Sequence, residues 1–487
     1  MRYIATVIVY CIISQHREVI MSSLYDFALE GDLPNLDILL RTEDVNLQRK
    51  SDGNTAIMGA ILGRHFHIVS RLAASGADIN CKNREGDTAL HLAAQVGNLA
   101  VVTCLIHHKA ELNVENNLLL TPLHVACEQG SVDIVGHMIK CGALVNGGNN
   151  LRTPLHVAVD ASNVEVVKHL LKRDSQIDGD GTEKTTRKVE LIDMNGESAL
   201  HYAARKGHLE ILKSLVDNKA QINGKTDKGF TPLHIAAENG HKEISDYLLQ
   251  NGASINYVDN NGDSPLHVAA KHGKVDIINI LLKQNAYIDC EDNRKFTPLH
   301  ISCLGNNTEA IDYLLQHGAD VDGSPSHDGT PLHTAAGYGD SATVKCLLKF
   351  NADVNSSSRE SLTPLHEAVK FGRREIMKIL ISGGANINAQ SVLGITPLHL
   401  AAMYNQTGAA NILLKHSARL EMRSLVHQLT ALHFAARAGN MDIVQRLVRH
   451  GADVNCKTLE HETPLELASS RYHHDVAEYL TNARDNN

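Results

Sequence analysis

Lys228–Asn260 reads KGFTPLHIAAENGHKEISDYLLQNGASINYVDN, and its residues lay out one complete folding unit. Thr231 carries the side chain of a helix N-cap, and Pro232 has the backbone angle wanted at the first helical position. Leu233, Ile235, Ala236 and Ala237 give a short apolar helix, which Asn239-Gly240 ends. A second helix is expected from about Lys242 to Gln250, where Ile244, Tyr247, Leu248 and Leu249 recur at helical spacing. Asn251-Gly252 stops it, and Ala253–Asn256 leads through an extended turn to Asn261-Gly262. The unit is therefore helix, turn, helix and hairpin-like loop.

It recurs. A Thr or Ser followed by Pro/Ala and Leu/Ile stands at Thr55, Thr88, Thr121, Thr153, Ser198, Thr231, Ser264, Thr297, Thr330, Thr363, Thr396, Thr430 and Thr463. The usual interval, as from Thr231 to Ser264, is 33 residues. Such a period marks a solenoid, whose repeats bury their apolar faces only by stacking on one another. Composition agrees: seven Phe, twelve Tyr and no Trp in 487 residues suit small, closely stacked helices.

With its Gly-x-Thr-Pro-Leu-His start, Ala-Ala pair and Gly-His turn, the unit resembles the ankyrin repeat. The family's repeat end stands at Gly76-Ala77-Asp78-Ile79-Asn80 and Gly451-Ala452-Asp453-Val454-Asn455. The resemblance runs from about Asp52 to Leu480, with a weaker unit over Leu24–Lys50. It implies an all-α ankyrin-repeat solenoid of stacked helix-turn-helix units with projecting β-hairpin loops. The expected layout is a hydrophobic N-terminal extension (1–21), a degenerate N-terminal repeat (22–51), repeats over 52–178, an inserted polar loop (179–194), repeats over 195–459 and a C-terminal capping repeat (460–487).

Two departures from the register inform the layout. Thr153 to Ser198 spans 45 residues, which places about twelve extra near Gly179–Met194, where they would replace the normal short hairpin. Thr396 to Thr430 holds one extra residue, read with Asn405-Gln406 as a local kink in the helix turn. Met58 and Glu466 replace the motif His in the first and last well-registered units, as suits caps, and the array is expected to finish at Asn487 without an appended output domain. At the other end, Arg2 and the apolar run Tyr3–Ile13 have the outline of a signal peptide. The run is shorter than the roughly 20 residues a spanning helix needs, and no Ala-x-Ala follows it.

Charge and thiols narrow the function. A net charge of -9 gives no broad field for nucleic acid, so none is expected as a partner. Nine Cys with no CxxC pair read as buried side chains or loop thiols, which points to a reducing, cytoplasmic setting. Eleven of the 29 His occupy the motif position. Stacked helices lie about 8–10 Å apart, whereas zinc holds its ligands at about 2.0–2.1 Å, so neighbouring motif histidines cannot share an ion. Each is expected instead to bond near its N-cap Thr and to neighbouring backbone. No nucleophile elbow, phosphate loop or zinc-protease motif is present, and neither an enzyme nor a cofactor is expected.

The resemblance further implies where partners bind: at hairpin tips and at exposed positions late in the first helix, which line a concave face. By position these include Phe230, Phe296, Leu362, Ile395 and Leu429 on hairpins, with Leu118, Leu120 and Leu393. On helices they include Tyr338, Phe371 and Tyr404, with Gln95, Glu128, Arg205, Glu238 and Lys271. Phe296, Tyr338, Phe371 and Tyr404 would form one aromatic stripe across four repeats, unless some of the rings pack locally on a hairpin. The repeat-closing Asn residues, such as Asn80 and Asn355, read as turn residues bonding their own backbone. The expected function is a monomeric, non-catalytic protein-interaction scaffold or adaptor. Its alternatives are the repeat region of a larger membrane-cytoskeleton adaptor or channel, and a secreted or effector repeat protein.

Overall fold

The computed structural model describes residues 23–146, 152–172, 188–323 and 329–485. The N-terminal extension and residues 179–187 of the inserted loop lie outside them. Among the described residues there are 28 α-helices, one 3-10 turn at Lys188–Glu190 and no strand. None of these helices is long and apolar enough to cross a membrane. The unit read from Lys228–Asn260 folds as helices Pro232–Asn239 and Lys242–Gln250.

The described residues form two compact units, those up to 235 together with 250–253, and 236–249 together with those from 254 onward. Within each, first helices stack on first helices, second on second, and the two helices of a repeat pack together. In the first unit Ala89–Val96 lies between Ala56–Leu62 and Pro122–Glu128 and against its own Leu99–His107. In the second, Pro331–Tyr338 lies between Pro298–Leu304 and Pro364–Lys370 and against Ser341–Lys349. Small side chains permit this closeness: Leu332, Ala335, Ala336, Val344 and Leu347 are wholly buried. A larger group at Ala335 would force the helices apart, at about 1–3 kcal/mol.

Within each unit, motif histidines tie one repeat to the next. Thr330 holds an extended backbone and its N–H donates to Nδ1 of His333 at 3.0 Å. Nδ1 is thus an acceptor, the proton sits on Nε2, and Nε2 donates to the Leu362 carbonyl of the following repeat at 2.8 Å. The same bridge runs from His124 to Arg152 at 2.8 Å, from His366 to Ile395 at 3.1 Å and from His300 to Gly329 at 3.3 Å. The end repeats differ as their sequences do. Met58 is buried but cannot bond, and the buried Thr55 hydroxyl has no partner among the described residues. Glu466 replaces the ring with a carboxylate, accepting the Thr463 N–H at 2.6 Å and its hydroxyl at 2.9 Å.

Replacing His333 by Ala should leave the Thr330 N–H and the Leu362 carbonyl without their partner in a dry interior. The expected loss in urea unfolding is about 2–4 kcal/mol. A loss under about 1 kcal/mol would show that the ring carries little of the inter-repeat bonding.

Three expectations are corrected by the loops. Residues 193–197 form a regular hairpin, with the Asp193 N–H bonded to the Glu197 carbonyl at 2.9 Å, as Asp259 is to Asp263 at 3.0 Å. The extra residues therefore precede the hairpin rather than replace it. The single extra residue before Thr430 also lies in a hairpin: Ser424 closes onto Leu429 five residues on, whereas Ser391 closes onto Ile395 after four. The helix turn at Asn405-Gln406 keeps its inter-repeat bond, from Gln406 Nε2 to the Lys370 carbonyl at 3.4 Å. The closing Asn80 and Asn355 reach the next repeat rather than their own backbone. Asn80 Oδ1 accepts the Glu111 N–H at 2.9 Å, and Asn355 Oδ1 accepts the Asn386 N–H at 2.7 Å.

Candidate partner-binding face

Tyr338 ends the helix Pro331–Tyr338, while Phe371 and Tyr404 sit at the C-caps of Pro364–Lys370 and Pro397–Met403. All three stand eight residues after their N-caps, at the turn between first and second helix, where a side chain points off the stack. They are 57%, 37% and 49% exposed, and Met403, which the sequence reading passed over, is 41% exposed. The Tyr338 and Phe371 rings meet at 4.9 Å between centroids, and the Lys370 ammonium lies 5.3 Å from the Phe371 ring. Gly337 permits this approach, since a Cβ there would come within 3.2 Å of the Phe371 ring.

Side chains at the start of the second helices hold the ring-bearing turns. Arg373 Nε donates to the Gly337 carbonyl at 3.0 Å, and Asn440 Nδ2 to the Ala402 carbonyl at 2.7 Å. Each caps the end of the preceding repeat's first helix, where carbonyls lack intrahelical partners. Their variety (Arg, Gln, Asn) hides the pattern in sequence, although all occupy the same place in the repeat.

The hairpin candidates are placed differently, and the single stripe separates into two positions. Phe296 immediately precedes its N-cap and lies half-buried along its own repeat's His300, with ring centroids 5.3 Å apart and planes within 12°. The Arg294 guanidinium sits 5.0 Å from the same ring. Phe230 stacks likewise on His234 at 5.5 Å. Leu362 and Ile395, in the equivalent places, are half-buried, and Leu429 is buried at 5% exposure. Phe230 and Phe296 thus roof the motif histidines of their own repeats, and the buried Leu429 offers a partner little surface. Gln95, Glu128, Arg205, Glu238 and Lys271 stand seven residues after their N-caps, one place before the rings.

Phe296→Ser should therefore cost stability, about 1–2 kcal/mol for the lost ring pair and apolar cover. Thermal unfolding measures this directly. An unchanged midpoint would return Phe296 to the list of free surface side chains.

Burial pushes the motif histidines down. Desolvation lowers His124, His156, His300, His366 and His399 from 6.5 to about 4, against the backbone carbonyls that each ring's N–H contacts. His91, His201, His267, His333 and His433 are lowered for the same first reason. Both ring nitrogens of a bridging histidine are committed, so these rings are poor bases and poor ligands. Among the described residues no group of three or more His, Cys, Asp or Glu could hold a metal. Burial raises the Cys127 and Cys303 thiols, and Cys456 to about 11, which makes them weak nucleophiles.

A family model for ankyrin repeats (3 copies) matches residues 24–116, 97–181, 181–259, 251–325, 322–391 and 398–487. Among solved structures, the crystal structure of the human ASB11 ankyrin repeat domain is similar at 31% sequence identity. The match covers 45% of this chain and 98% of that chain, with a TM-score of 0.41.

Proposed function

The chain belongs to the ankyrin-repeat family, whose members generally mediate protein–protein interaction, and from that premise we propose a non-catalytic scaffold that holds a partner protein at the turns of residues 337–404. One observation carries the reading: in a chain with 4% aromatic residues, Tyr338, Phe371 and Tyr404 emerge from three successive repeats, all exposed. Aromatic side chains presented on a rigid frame are the groups that dominate interface energy when a partner covers them. The hairpin tips, where Leu393 is 54% and Leu118 is 72% exposed, are a secondary contact surface.

A cytoplasmic setting suits the eight described cysteines, all free thiols, of which Cys127, Cys303 and Cys456 are buried. Affinity capture with the full chain, read by quantitative mass spectrometry, should return a small, saturable set of proteins. A return indistinguishable from bare resin would contradict the scaffold reading.

A further inference from the structure

Resting on that reading of the face, we propose that its occupant is an acidic segment of another protein, presenting one apolar side chain to each of three successive repeats. From the Ser264 repeat to the Thr463 repeat, the turn between first and second helix occupies places seven to ten after the N-cap. Those places carry Lys271, Lys274, Lys370, Arg373, Arg437 and Arg471, and a single acid, Asp340. The Asp340 carboxylate is engaged as a helix cap, accepting the Thr343 N–H at 2.8 Å. None of the six cations forms an ion pair with an acid among the described residues. Arg373 bonds the Gly337 carbonyl, and Lys370 lies beside the Phe371 ring. Glu367, in the helix that Lys370 ends, is half-buried and outside this row.

A chain of net charge -9 thus reverses sign along one row of turns, and the reversal brackets the exposed rings. Lys271 and Lys274 stand on one side of Tyr338, and Arg437 and Arg471 on the other side of Tyr404. Unpaired cations around an apolar strip favour a ligand with the opposite arrangement, apolar at its centre and acidic at its flanks. Stacked repeats are about 8–10 Å apart. A segment meets three of them with apolar side chains about three residues apart if extended, or about seven apart if helical.

The test is selection of displayed random peptides of about 20 residues, long enough for either spacing, on the full-length chain. Enriched peptides should carry Asp or Glu on both sides of three spaced apolar residues. Their affinity should fall as salt rises, and by about tenfold in the charge reversal K370E/R437E. If that variant loses helicity, K271E/R471E, at more distant turns, serves the same purpose. Loss of binding in Y338S/Y404S with no effect of either reversal would overturn the acidic assignment and leave the face standing. Indifference to both kinds of variant would overturn face and assignment together. Enrichment of basic peptides, no enrichment, or equal capture of a single-stranded oligonucleotide of matched charge would each overturn the proposal.

Discussion

Acidification from pH 7.5 to pH 5 should cost the folded chain a large part of its stability. The motif histidines are neutral when folded, with pKa values below those they take when unfolded, so unfolding takes up protons between about pH 4 and pH 6.5. Stability is complete above the upper value and is lost as pH falls toward the lower one. At pH 5, a ring moved from 6.5 to about 4 costs the folded state about 2 kcal/mol. His124 and His156 lie in the first compact unit, and His300, His366 and His399 in the second. Together they cost about 4 and about 6 kcal/mol respectively, a large fraction of the about 5–15 kcal/mol that holds an ordinary domain folded. Geometry gives the loss its cause, since a proton added at Nδ1 would face the Thr N–H that now donates to it. Urea midpoints followed by circular dichroism across this pH range, with proton uptake on unfolding, measure the effect. A midpoint unchanged from pH 7.5 to pH 5 would contradict the neutral, bridging role of the rings.

The second large effect concerns recognition. Substituting Tyr338, Phe371 and Tyr404 together by Ser should reduce partner capture at least about 100-fold, the loss expected when a central aromatic cluster worth about 3 kcal/mol or more is removed. Helicity should stay as in the unsubstituted chain, because each ring sits at a helix end and is substantially exposed. Phe296→Ser is the matched control, since it removes an aromatic ring that roofs His300 and should leave capture unchanged while lowering stability. Reversal of these two outcomes would exchange the roles assigned to hairpin and turn.

Most of the fold could be read from residues alone. Thr231-Pro232, the buried Ala236-Ala237 pair and Asn239-Gly240 specify helix starts, close packing and helix ends through local chemistry. The histidine bridges were legible because the His stands at a fixed distance from its N-cap Thr. What the sequence hid depends on small shifts of position. Phe296 and Tyr338 are both aromatic and both adjoin a first helix, yet one precedes its N-cap and stacks inward while the other ends its helix and points away. The extra residue before Thr430 could be absorbed by the helix turn or the hairpin, and only the bond from Ser424 to Leu429 places it. The row of six cations was open to counting, but it becomes a surface only when stacking brings turns some 33 residues apart side by side.

The central claim, that a protein partner lies on the aromatic turns, is tested most directly by photo-crosslinking in the source cells. Benzoylphenylalanine would replace Tyr338, Phe371 or Tyr404 one at a time in the full chain, with Phe66 (41% exposed on a second helix) as the comparison position. The account predicts one shared protein adduct from all three turn positions and none from position 66. Adducts that are absent from the three turns, or equally strong from position 66, would contradict it.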